Sequence, residues 1–243
     1  MSKPKDIKLE ILMQRIPVSH KQGERLLEKV KGDLEEAEKN YVEESVAQVC
    51  TKTGVKSEIA LKHLIDCNFD IRLTIESINE NVYTSTERIT RKYSAKKEKA
   101  LDEIFLEVIN KYNIKKKFWV SPEDLKQLPT EIYGFIVIME WLNFESWENY
   151  QSALLFNIQK FTEQIDLKLS LFEISNSLRK AEDVVVQVYD KLEVDDSNKY
   201  VEATNELMKN KEFVEAESKF REQRKLIIDK LYEFVQDNIS KFP

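Results

Sequence analysis

Glycine is scarce in this chain, with four in 243 residues, beside five prolines, two cysteines and two histidines. Average usage is about 7% glycine and about 5% proline. So few turn-formers exclude a many-stranded sandwich or barrel and predict long helices instead. Four scattered glycines cannot build a phosphate-cradling loop, and the chain has no Walker A loop, no G-x-S-x-G and no H-E-x-x-H. His20 and His63 supply neither a ligand set nor a nucleophile's partner, so a surface or packing role is expected and no cofactor or metal. No apolar run approaches the roughly 18–20 residues that a membrane span needs. The first ten residues, MSKPKDIKLE, are charged and lack the apolar core of a signal peptide, so a cytoplasmic location is expected. Cys50 and Cys67 sit at apolar-periodic positions of a helical segment and form no C-x-x-C pair. They read as buried thiols and not as a redox or zinc site.

What is present is a helical composition. Apolar residues make up 42% and charged residues 34%, enough for a packed core. The length suits one large domain or two small ones of roughly 100–200 residues. The expected fold class is all-α, in four parts: 1–43, 44–84, 85–117 and 118–243.

The first two parts are an internal repeat at an offset of 37. Residues 11–41 align with 48–78, so that Val18 matches Val55, Gly23 Ala60, Leu27 Leu64, Asp33 Asp70, Leu34 Ile71 and Tyr41 Ile78. Each copy reads as three short helices. Pro17 or Gly54 breaks the first, Ser19 and Ser57 are candidate N-caps of the second, and Asp33 and Asp70 cap the third. Leu26, Leu27 and Val30 make one helical face in the first copy, and Leu61, Leu64 and Cys67 make it in the second.

The pattern Val18-Ser19…Gly23…Leu27…Gly32-Asp33-Leu34…Ala37 resembles a ubiquitin-associated (UBA-like) three-helix domain. The second copy, Thr53-Gly54-Val55…Ala60…Leu64…Asn68-Phe69-Asp70-Ile71…Ile75, is similar to the UBA-like domain of elongation factor Ts and of the nascent-polypeptide-associated complex. The resemblance implies a protein-binding module working through Ile16, Pro17, Val18, Thr53, Gly54 and Val55. Ubiquitin-binding members carry a Met-Gly-Phe/Tyr type loop at this place, which neither copy has, so a different protein is implied. The alternative is that the repeats pack on the C-terminal half.

Residues 87–117 hold ten Lys/Arg against five Asp/Glu. Ile89, Tyr93, Leu101, Ile104, Phe105, Val108, Ile109 and Tyr112 recur at helical spacing, which predicts one long linking helix. Arg91, Lys92, Lys96, Lys97 and Lys99 could meet phosphates or an acidic protein, or simply form a solvated face. Direct nucleic-acid binding is expected nowhere outside 88–99.

Residues 118–243 reverse the sign, with 15 Lys/Arg against 24 Asp/Glu, and the acids are densest over 131–217. Ser121-Pro122-Glu123-Asp124 and Pro129-Thr130-Glu131 are helix starts. Ile132, Phe135, Ile136, Ile138, Met139 and Leu142 make a helix apolar nearly all round, so it is the central one. Further helices are expected through Leu154–Phe161, Leu178–Leu192 (capped by Ser175 or Ser177) and about 213–240, with a turn at Asp195–Asn198. Leu142-Asn143-Phe144…Trp147-Glu148-Asn149-Tyr150, Leu171-Phe172-Glu173-Ile174 and Leu178…Ala181-Glu182, with Tyr232-Glu233-Phe234-Val235 near the end, resemble the acidic, all-helical DNA-mimic protein family of bacteria. Phe144 and Glu145 stand where that family has two glycines. The resemblance implies carboxylates that imitate DNA phosphates and occupy a basic protein. Candidates are Glu140, Glu145, Glu148, Asp183, Asp190, Glu193, Asp195 and Asp196. The alternative is an ordinary acidic surface that aids solubility.

Two binding functions follow, and neither is enzymatic. In one, the acidic half neutralises a basic partner, a nucleic-acid-binding protein or a toxin. In the other, the UBA-like pair makes the chain an adaptor for a translation or protein-quality-control component. A helical enzyme with a carboxylate-lined pocket is the third alternative.

Overall fold

The computed structural model describes residues 4–243. The first three residues of the charged N-terminal stretch, and the Asp124 side chain of the proposed helix start, lie outside the described residues. The fold is all-α, and the described residues contain no strand. The chain divides into two compact units, 1–83 and 84–243.

The first unit holds α1 (Pro4–Arg15), α2 (His20–Lys29), α3 (Leu34–Thr53), α4 (Ser57–Asp66) and α5 (Ile71–Val82). The offset of 37 is visible in the backbone. Gly32 N–H donates to Leu27 O and Phe69 N–H to Leu64 O, both at 2.7 Å. Lys31 and Gly32 are left-handed, as are Asn68 and Phe69. Asp33 then caps α3 through Glu35 N and Glu36 N, and Asp70 caps α5 through Leu73 N. Each copy thus turns the chain back by one left-handed helix stop followed by one carboxylate N-cap.

The boundary expected at 43/44 falls inside a helix. α3 is at once the third helix of the first copy and the first helix of the second. Its early residues match α5, and its later ones match α1. Leu12 and Val49 are fully buried equivalents, and Ile16 and Thr53 are another buried pair. Ala37 belongs to the first small core and Val49 to the second, so one helix presents different faces to two cores. Ser19 caps α2 with a capping box through Gln22. Ser57 is not a cap: Lys56 holds that place, in strict register with Ser19, and makes no side-chain cap bond. Both cysteines are free and half-buried, not buried as expected.

The second unit holds α6 (Ser85–Lys92), α7 (Lys97–Lys111), a 3-10 turn (Pro122–Leu125), α8 (Thr130–Trp147), α9 (Tyr150–Ala153), α10 (Ile158–Leu169), α11 (Phe172–Leu192), α12 (Ser197–Leu207) and α13 (Lys211–Asp237), closed by a 3-10 turn at Ile239–Lys241. The single helix expected over 85–117 is two, broken at Tyr93–Lys96. It is no linker either. Ala100, Leu101, Ile104, Phe105 and Val108 enter the main core, because their apolar stripe needs α8 and α13 to cover it. α6 is tied to the chain's far end: Thr86 N–H donates to Pro243 O and Tyr232 OH to Thr90 O.

α8 is central, with Ile132, Phe135, Ile136, Ile138 and Leu142 all buried. Trp141 on it stacks on Phe161 of α10 at 4.0 Å, meets Phe220 of α13 edge-on at 5.5 Å, and donates its indole N–H to Ala153 O. Other expectations shift. Ser121 caps only the 3-10 turn. Leu154 lies between helices, since α10 starts at Ile158 after the left-handed Asn157. α11 starts at Phe172, which puts Ser175 inside it, bonded to Asp166. α12 was not expected at all.

Gly23 gives the repeat a direct test. A methyl group there would come within 2.5 Å of Leu9 Cδ1. The second copy has the larger Ala60 at this place and the smaller Val46 in Leu9's register, both in the second small core. Gly23→Ala should cost about 1 kcal/mol, overpacking outweighing helix propensity. In a Leu9→Val background the same substitution should stabilise the protein. Urea unfolding of the two single variants and the double variant measures this coupling.

Candidate functional site

The eight carboxylates expected to form an acidic face separate into two kinds. Glu140 and Glu145 are only 4% and 8% exposed. Glu140 accepts from Lys116 Nζ and from Val120 N–H, so it fastens the 115–120 loop onto α8. Glu145 pairs with Arg224, whose guanidinium also reaches Glu98 and Ser146 and joins α13 to α7 and α8. These two are structural ion pairs, and the expectation that they face a partner is corrected. Their positions on α8 put them on its interior side, which an all-apolar helix pattern did not reveal.

The other six, Glu148, Asp183, Asp190, Glu193, Asp195 and Asp196, are exposed. Asp183 and Asp190 are two turns apart on one face of α11. Glu193 follows at the left-handed end of α11. Asp196 caps α12 by accepting from Asn198 N and Lys199 N. Asp195 pairs with Lys199, which also donates to Glu193 O. α12 adds Glu202 and Glu206, so residues 182–206 carry eight carboxylates against two lysines. Burial, and then the charge of Asp183, pushes the Glu182 carboxyl above its ordinary range. The edge is therefore crowded with negative charge.

A polar lock holds this edge in place. Gln151 of α9 is buried, donates to Tyr189 OH at 2.7 Å and accepts from Thr204 at 3.1 Å. Asn149 donates to Tyr200 OH at 3.0 Å, with Ser152 Oγ 3.3 Å from the same hydroxyl. Tyr189 and Tyr200 meet edge to face at 6.5 Å. The network ties α9, α11 and α12 together and brings Glu148 to the same corner as Asp190, Glu193, Asp195 and Asp196. Gln151, Tyr189, Tyr200 and Thr204 were not foreseen. The available signal was Asp196 before Tyr200, Ala203 and Leu207, an N-cap followed by a helical stripe.

The expected repeat loops are mostly core. Ile16 and Val18 are buried in the first small core, and Thr53 is buried with its hydroxyl on Val49 O. Val55 is half-buried, while Pro17 and Gly54 are exposed. The unit's open feature is a cleft of about 390 Å³ lined by Arg25, Leu26, Lys29, Tyr41, Glu44 and Ile71, among others. Tyr41 and Phe69 pack at 5.8 Å and join the two copies. In the basic stretch, Lys97 pairs with Asp229, and Lys92 and Lys99 both lie over the Tyr93 ring. His63 is bonded to Ser77, and His20 faces Glu24. Among the described residues, no group of three or more His, Cys, Asp and Glu could hold a metal ion. Among the described residues, no helix is long and apolar enough to cross a membrane.

A family model described as the YfbN C-terminal domain matches residues 84–240, nearly the whole second unit, and the chain belongs to that family. Over almost its full length the chain is similar to the uncharacterized protein YfbN of Escherichia coli (strain K12). The two are 28% identical over 233 residues, which cover 96% of this chain and 93% of YfbN. No solved structure matches.

The two kinds of carboxylate make different demands on stability. Glu140→Ala leaves Lys116 and the Val120 N–H without their partner and should cost about 3 kcal/mol. Asp190→Ala on the open edge should stay within about 0.5 kcal/mol of the parent. Chemical denaturation of both variants distinguishes them.

Proposed function

We propose that this member of the YfbN C-terminal domain family is a non-enzymatic, protein-binding protein whose second unit occupies a basic partner through the α11–α12 edge. The observation that carries this reading is the concentration of exposed carboxylates over 182–206, mounted on helices joined by the Gln151–Tyr189–Thr204 and Asn149–Tyr200 bonds. A fixed array of negative charge steers and orients a basic surface, whereas mobile charges lose much of the gain to ordering. The partner this suits is a protein with a basic groove, such as a nucleic-acid-binding protein or a toxin, met as DNA phosphates would be. The adaptor reading has less behind it, since Ile16, Val18 and Thr53 serve the small cores and only Pro17 and Gly54 of those loops are open.

Affinity capture from the source cell's lysate tests this, with the full chain and an Asp190→Lys/Glu193→Lys/Asp195→Lys variant as baits. None of the three side chains is buried or caps a helix. A basic protein should be retained at about 50 mM salt, released by about 500 mM as screening shortens, and not retained by the variant. Capture that persists in high salt and in the variant would overturn the reading.

A further inference from the structure

A second surface of the same unit calls for a different partner. Phe118 is 82% exposed and Trp147 79% exposed, with Leu155 at 45%. Each flanks one aromatic cluster along the chain. Trp119, next to Phe118, lies 5.0 Å from Phe144 and 5.7 Å from Phe156, and those two rings stack at 4.0 Å. Trp147 follows Phe144 by one turn of α8, on the same side of the helix. Exposed aromatic side chains beside such a cluster mark a protein contact, and tryptophan is a preferred anchor.

The charges at its two ends say what the contact is. Lys116 is bonded to Glu140, which places the Lys115–Lys117 loop at the level of Glu140 on α8. Phe144 is one turn further along, and the exposed Glu148 is two turns on, about 12 Å from Glu140 at 1.5 Å per residue. Beyond Glu148, the Asn149–Tyr200 bond leads to Asp195 and Asp196. Along the axis of α8 the order is therefore basic loop, aromatic cluster, carboxylate. A wholly basic partner would match only one end, and a wholly acidic one only the other. A second copy of this chain, turned by a two-fold axis through the aromatic middle, matches both: Lys115 and Lys117 of each copy face Glu148 of the other, and ring meets ring.

We propose that the chain forms a two-fold symmetric dimer through the Phe118–Trp147 aromatic strip, with Lys115 and Lys117 of one copy against Glu148 of the other. The dimer contact shares Glu148 with the acidic corner, whereas Asp183, Asp190 and Glu193 take no part in it, so the aromatic variant tests the dimer separately from the acidic edge.

Sedimentation analysis of the full chain over a range of concentrations tests the proposal. A species of twice the chain mass should form. Phe118→Ser/Trp147→Ser should weaken association at least about tenfold with an unchanged thermal melt of the monomer, since both rings are open to solvent. Glu148→Lys alone should also weaken it, and so should Lys115→Glu/Lys117→Glu. Combining the three charge reversals should restore it, which a general loss of solubility or fold would not do. A chain that stays monomeric up to about 100 µM overturns the proposal and leaves the strip to a different protein. So does a dimer that the aromatic variant does not weaken, or charge reversals that fail to rescue one another.

Discussion

The second unit is organised around the indole of Trp141. It is buried on the central helix α8, pressed between Phe161 and Phe220, and its N–H is satisfied by Ala153 O. Those three contacts bring α10, α13 and α9 to α8 at one point. A buried aromatic pair adds about 0.5–1.5 kcal/mol to the area it removes from water, and an unsatisfied indole N–H would forfeit much of that. The bond to Ala153 also fixes where α9 ends. Gln151 of α9 and its N-cap Asn149 are the two amides that hold Tyr189 and Tyr200. The acidic edge thus rests, through one short helix, on the packing of a tryptophan that carries no charge.

The first unit solves a different problem. A three-helix copy of about 37 residues has little apolar surface to bury, and the two small cores are correspondingly modest. Sharing α3 lets one helix be covered on two faces, so neither copy needs a separate third wall. The exchange of Gly23 and Leu9 for Ala60 and Val46 keeps the same space filled in both copies with different side chains.

Carboxylates do three kinds of work here, and environment alone separates them. Glu140 and Glu145 are removed from water and stand only because Lys116, Val120 N–H and Arg224 meet them. Asp33, Asp70 and Asp196 open helices by accepting backbone N–H groups. Asp183, Asp190 and Glu193 remain in water, where their effect reaches outward and depends on salt.

Composition and periodicity by themselves determined the all-α class, the repeat at 37 residues, the aspartate caps at its turns and the central place of α8. These are local matters: turn chemistry and the 3.6-residue period act between near neighbours in the chain. Tertiary structure decided the rest. Only packing shows that α3 serves two cores, that α7 is core and not linker, and that Glu140 faces inward while Glu148 faces out. Glu140 sits on α8 and Glu148 just past its end, two turns further along, and their patterns in the chain are alike. What distinguishes them is which distant segments, the 115–120 loop for one and solvent for the other, arrive beside them. That depends on contacts between residues far apart in the sequence, which no local pattern encodes.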